Sequence, residues 1–401
     1  MTVRAVAAKN PQHFLFTSAA RFALRLASTL AISLAASAQT TAPASMSMTT
    51  ESRVHSPGWW PTKGDAARDG FVGTPTCARC HASKAASQQK HSMARAAVPA
   101  ANADILHQHD HLSFHLGTYH EEIVTKGNKS VLTVTASSGK APLSVDLLWA
   151  FGVGHMGQTY VYEKNGGYYE SHLSFYTSSQ DLNITPGQSQ AMPASLEDAA
   201  GRRMPPAESR ACFACHTTAA VTNNQLDLNA AVPGITCEAC HGPGASHVAA
   251  MKAGKHEEGA RLIMNPSLLD PVESVDFCGA CHRTWQDVAS SAYIEVGSLN
   301  LRFAPYRLEN SLCWSKPDAR LTCVACHDPH QPLDHDLADY DSRCLQCHVN
   351  QPGMKPTADY PGAACPVSRE NCVTCHMPKT ESPFQRSTFT DHWIRKPLSS
   401  R

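Results

Sequence analysis

The chain has no block of basic residues, no long heptad pattern and no extended low-complexity tract beyond its first 70 residues. Those absences exclude a long coiled coil and remove the usual footprint of a nucleic-acid or anionic-membrane binder. Acidic residues are missing from the start: none precedes Glu51, while Arg4, Lys9, Arg21 and Arg25 supply positive charge. The apolar stretch Leu26 to Ala36 has too few residues to span a bilayer, which takes about 20. Ala36-Ser37-Ala38 before Gln39 has the small-x-small form of a cleavage site. Residues 1–38 are therefore expected to be a secretory signal cut near Ala38/Gln39, the alternative being an uncleaved anchor. On that reading the processed chain is periplasmic or secreted and has no transmembrane span. The full chain balances 34 basic against 34 acidic residues, and loss of the leader's four basic residues leaves a formal −4.

What the chain does have is cysteine in one arrangement. Sequential Cys-x-x-Cys-His occurs seven times and uses 14 of the 16 cysteines. The copies are Cys77, Cys80 and His81; Cys212, Cys215 and His216; Cys237, Cys240 and His241; Cys278, Cys281 and His282; Cys323, Cys326 and His327; Cys344, Cys347 and His348; and Cys372, Cys375 and His376. Chance would supply about 0.04 copies in such a chain. The pattern is the attachment sequence of c-type haem: the thiols add across the vinyl groups, and the adjacent histidine ligates the iron. A zinc knuckle has no use for a histidine at that fixed offset, and a thioredoxin-like dithiol would occur once per domain. Seven covalently bound haem c groups are expected, with an electron-transfer role.

The last six motifs begin 25, 41, 45, 21 and 28 residues apart, too close for each to build its own core. Porphyrin faces would then supply much of the buried surface, and folding would wait on haem attachment. The fold class expected is a mainly α and irregular multihaem cytochrome c fold with little regular structure, plus a small antiparallel β insertion between the first and second motifs. Its segments would be the signal at 1–38, a flexible lead-in at 39–70 and a first haem segment at 71–109. A β-rich insertion at 110–190 and a six-haem region at 191–401 would follow. The insertion contains VLTVTAS, VDLLWAF and TYVYEKNGGYYESHLSFY, which are β-branched and aromatic, and Asn165-Gly166 is a two-residue hairpin signal.

A second axial ligand decides what each iron does: histidine or methionine makes a relay, an empty position admits substrate. His247 and His330 follow their own motifs too closely to reach around the porphyrin, so each is expected to ligate a neighbouring haem. His392, flanked by Asp391 and Trp393, is a third candidate. Met93 and His91 compete for a site near the first haem. His155-Met156 and the group His107, His109, His111, His115 and His120 hold further candidates. Cys313 and Cys365 lie outside any motif and either pair with each other or remain separate thiols.

At these residues the chain resembles the multihaem cytochromes of the c-554 type, related to pentahaem nitrite reductase and octahaem hydroxylamine oxidoreductase. The matching pieces are Phe71-Val-Gly before Cys77 with Met93 beyond, Ile235-Thr-Cys237 through His247, and Tyr306-Arg-Leu to Cys313. Leu321-Thr-Cys323 through His330, Cys375-His-Met-Pro-Lys379 and Thr390-Asp-His-Trp-Ile394 complete them. The resemblance implies His247, His330 and His392 as distal ligands and favours Met93 over His91. It departs from pentahaem nitrite reductase, whose catalytic haem uses a lysine-ended motif, because all seven motifs here end in histidine.

The leading expectation is a secreted or periplasmic carrier passing single electrons through closely packed, mostly bis-histidine haems. Its partners would be redox proteins, other cytochromes or a membrane quinol oxidase system, with oligomers allowed. The alternative is a terminal oxidoreductase for a small nitrogen or sulfur oxyanion at one open haem; Arg302, Tyr306 and Arg307 lie in one stretch and could flank it, though a solvated or propionate-pairing role is the first expectation for them. A third reading is a filament of stacked copies.

Overall fold

The computed structural model describes residues 68–222, 224–289, 299–314, 320–349, 355–359, 361–383 and 385–397. The expected signal and all but the end of the lead-in lie outside the described residues.

Between the first and second motifs the chain forms a nine-stranded antiparallel sheet. Its strands are β1 (Ala97–Pro99), β2 (His111–Leu116), β3 (Tyr119–Lys126), β4 (Lys129–Ala136), β5 (Leu143–Phe151), β6 (Gly157–Lys164), β7 (Gly167–Tyr176), β8 (Asp181–Ile184) and β9 (Gly201–Arg203). The main path runs β2 to β8 in sequence order, with β1 on β5 and β9 on β7. β4 pairs with the first half of β5, through Val131–Val134 and Leu143–Asp146, and β1 takes over at Trp149–Phe151. β8 and β9 divide the free edge of β7 in the same way. The two ends of the path come back against each other, so the sheet is nearly closed.

This corrects the expected fold class. The β structure is no small insertion in a mainly α and irregular chain; it is the largest regular body among the described residues. The physical cause is burial on the inner face. Along β4 the residues alternate buried and half-buried from Ser130 to Val134, placing Leu132 and Val134 inward, as a half-buried strand should. Ile123, Leu132, Val134, Leu147, Tyr160, Tyr162, Leu173 and Phe175 make one core, which Ala199 and Ala200 of helix Leu196–Ala200 close. Each such large apolar side chain contributes about 1.5–3 kcal/mol by leaving water. Asn165 and Gly166 turn β6 into β7 at φ 52° and 68°, the mirror-image turn that matches strand twist.

A second core joins the sheet to the motif that follows. Phe213, inside helix Pro206–His216, packs edge-on against Trp149 and Phe151 at ring-centre distances of 5.4 and 5.0 Å. The second motif is thereby seated on β5. Beyond it come short helices, such as Pro271–His282, which opens with a capping box between Asp270 and Glu273. A hairpin, Lys379–Ser382 with Ser387–Thr390, ends the described secondary structure. No helix among the described residues is long and apolar enough to cross a membrane.

Candidate haem-binding site

All seven motifs lie within the described residues, and most have their cysteines on a short helical turn. Such a turn places the two thiols on one side of the backbone with the histidine close behind.

Three pairs of imidazoles face one another across a gap. His81 and His247 have ring centres 6.4 Å apart with planes 24° from parallel. His241 and His330 stand at 5.9 Å and 14°, and His327 and His392 at 6.2 Å and 47°. Aromatic pairs of any kind place their ring centres about 4.5–7 Å apart, a range that includes these three. An imidazole nitrogen lies about 1.1 Å from its ring centre and a metal–nitrogen bond is about 2 Å, so two imidazoles on one ion are separated by about 6.2 Å. The three gaps match that spacing.

The hydrogen bonds give the right tautomer. Nδ1–H donates to a backbone carbonyl in His216 (Ala96, 3.1 Å), His241 (Met264, 2.8 Å), His247 (Gly259, 2.8 Å) and His348 (Ala363, 2.9 Å). His376 does the same to Arg395 (2.8 Å) and His392 to Thr390 (3.0 Å). A proton fixed on Nδ1 leaves the Nε2 lone pair for a metal. Burial lowers the pKa of His216, His241, His282, His327 and His392, which keeps these rings neutral and able to ligate. Neutral, Nδ1-anchored imidazoles beside paired thiols fit covalently attached haem.

The facing pairs come from different motifs. His247, which follows the third motif, faces the histidine of the first. His330, after the fifth, faces that of the third, and His392, after the seventh, faces that of the fifth. Thiol neighbours add to this pattern. Cys77 touches Cys237, Cys278 touches Cys323, and Cys344 touches Cys372. Cys215 Sγ lies 3.6 Å from the Ala280 carbonyl and brings the second motif to the fourth.

Of the other expected candidates, Met93 and His91 share one turn, where His91 Nδ1 accepts the Met93 N–H at 3.0 Å. His91 interacts through charge with His282 of the fourth motif and with His327 and His330 of and after the fifth. The imidazole opposite His81 is that of His247. His115 and His120 stack at 4.0 Å on the β2–β3 hairpin, and His111 Nε2 lies 3.0 Å from Glu122. His155 and Met156 line a cleft of about 570 Å³ near the tip of the C-terminal hairpin. No disulfide joins Cys313 to Cys365.

Two carboxylates that do structural work here, Glu238 and Asp341, carry no signal in the sequence, and a third, Asp391, has other partners than its place beside His392 suggests. Glu238, at a variable position of the third motif, accepts the backbone N–H groups of Val72, Gly73 and Gly244 at 2.8–2.9 Å and ties that motif to the first. Asp341 accepts from Asn371 and Cys372 at 2.7 and 2.8 Å, tying the sixth motif to the seventh. Asp391 neighbours His392 in sequence but bonds elsewhere: Arg307 at 2.8 and 2.6 Å, Arg395 at 2.6 Å and the Trp393 N–H at 3.0 Å. Arg307, expected to be solvated or paired with a propionate and offered beside an open haem only on the oxidoreductase alternative, is engaged by a buried carboxylate.

Comparison with known proteins finds likenesses of three kinds. The family model described as cytochrome c554 and c-prime matches residues 170–242, from β7 through the third motif. The multiheme cytochrome MtrA of Shewanella baltica (strain OS185) is 26% identical over 226 residues, covering 45% of this chain and 64% of that protein. The matched region therefore spans less than two thirds of that relative. The outer cell wall cytochrome OcwA aligns over 81% of this chain and 80% of its own at 14% identity, with a TM-score of 0.39.

Proposed function

We propose that the chain is a multihaem c-type cytochrome, an extracytoplasmic carrier with seven haems that relays single electrons among its motifs. The observation that carries this reading is the set of three facing imidazole pairs at 5.9–6.4 Å. When bound, haem iron supplies one-electron chemistry by cycling between ferric and ferrous states.

The residues of the chain supply the rest. On this reading His81 with His247, His241 with His330, and His327 with His392 would hold the haems of the first, third and fifth motifs. Two imidazoles for each haem would suit a relay rather than a substrate site. Each pair also straps two motifs together, so the ligands set the order first, third, fifth, seventh. Thiol contacts place the fourth motif beside the fifth and the sixth beside the seventh, while the second branches from the fourth onto the sheet. The turn carrying His91 and Met93 is the candidate source of a further ligand at the fourth motif. Other cytochromes are the proposed redox partners, and export through residues 1–38 is the proposed route to the periplasm or beyond.

Paramagnetic resonance of the oxidised holoprotein tests the ligand set. His247→Ala, His330→Ala and His392→Ala should each convert one low-spin haem to high spin and leave the others as they were. Three variants with unchanged low-spin signals would remove the basis of the relay.

A further inference from the structure

His330 differs from the other anchored imidazoles in what holds its outer nitrogen. The Nδ1 groups of His216, His241, His247, His348, His376 and His392 all meet backbone carbonyls. His330 Nδ1 instead lies 3.3 Å from Asp328 Oδ1, and the same oxygen accepts the His330 backbone N–H at 2.8 Å. Two bonds from one residue fix the carboxylate against the ring. Its second oxygen, Oδ2, lies 3.3 Å from Lys84 Nζ, three residues beyond His81. The charge of this carboxylate also reaches His91. Asp328 therefore meets three motifs: it follows His327 of the fifth, holds the imidazole facing the third, and is neutralised in part from the first.

We propose that Asp328 is a positioning residue that lowers the reduction potential of the haem attached through Cys237 and Cys240, by drawing the Nδ1 proton of His330 toward a carboxylate. This rests on the reading that His330 and His241 share one iron. A carboxylate acceptor gives the imidazole part of an imidazolate's donor strength, which favours ferric over ferrous iron, and a neutral carbonyl does so less. Lys84 opposes the effect by withdrawing charge from Asp328. The haem of the third motif is then the low-potential step of the three held by facing imidazoles. It lies between the first and fifth in the ligand order, so an electron crossing the molecule meets an uphill step midway.

The two partners shift that potential in opposite directions, which a merely structural contact would not do. In spectropotentiometric titration of the holoprotein, Asp328→Asn should raise one midpoint and Asp328→Glu should restore it toward wild type. Lys84→Met should lower that same midpoint, with the remaining components in place in every variant. The affected component should be the one that disappears from the low-spin spectrum of His330→Ala. If His330→Ala opens no haem, the ligand reading fails. If it opens one, while Asp328→Asn and Lys84→Met leave that midpoint unmoved or move it the same way, the role given to Asp328 is wrong and the ligand reading stands. Should Asp328→Asn fail to mature, Lys84→Met at the exposed end of the contact decides the sign alone.

Discussion

Asp391 shows how single side chains hold the ligands in place. Burial alone would raise its carboxyl pKa, but hydrogen bonds from Arg307, the Trp393 N–H and Arg395, with the Arg307 charge, outweigh that and hold it below the usual carboxylate range. A depressed folded-state pKa stabilises the fold fully above the unfolded value of about 3.9. That contribution is lost as pH falls through the lower folded value. Asp391→Asn should therefore unfold more easily at neutral pH and lose part of the wild type's acid dependence, as denaturant titrations across about pH 2–7 would record. Equal acid slopes in the two proteins would refute the assignment. Asp391→Ala, which strands Arg307 at 12% side-chain exposure, should cost about 3–5 kcal/mol. The sequence placed Asp391 beside His392, and adjacency invited a direct bond. The backbone instead turns the His392 ring onto the Thr390 carbonyl and frees Asp391 for Arg307, 84 residues away.

At the scale of elements, the sheet draws its stability from its inner face. Leu132 is fully buried in β4, and Leu132→Ala should destabilise the holoprotein by about 2–5 kcal/mol without moving the haem potentials. Calorimetry with a redox titration would check both halves, and a changed potential would mean that the sheet reaches the irons more directly than its packing implies. Strands β4 to β7 were legible, because VLTVTAS, VDLLWAF and TYVYEKNGGYYESHLSFY declare themselves by branching and alternation, and Asn165-Gly166 by its turn chemistry, whereas in β2 and β3 the histidines drew the reading instead. The three-residue strands β1 and β9 were not. Ala97–Pro99 and Gly201–Arg203 have no period to read and are strands only because β5 and β7 offer them open edges. Gly234 marks another contact invisible in sequence: at φ 69° an added Cβ would meet the Ala94 carbonyl at 1.9 Å, so the approach to the third motif can lie against the first segment.

For the whole molecule, the attachment motifs were readable because each is complete within five residues. Their order in space was not, because it depends on contacts such as His81 with His247, separated by 166 residues, and on carboxylates such as Glu238 that sit at positions the motif leaves open. Resemblance pointed to His247, His330 and His392 as ligands; only the structure shows which imidazole each one faces. Below the second core the chain has few long elements, and short helices with small apolar contacts such as Val288, Phe303 and Tyr306 replace a continuous interior. Porphyrin faces are the proposed remainder of that interior, and the bis-imidazole pairs the fasteners that close it.

The most direct test of that proposal is the intact mass of the purified protein under denaturing conditions, after expression in a host competent for haem attachment. The account predicts the processed polypeptide plus seven haems, resistant to removal by acid and organic solvent. A mass equal to the bare polypeptide, or to the polypeptide with bound zinc alone, would contradict it.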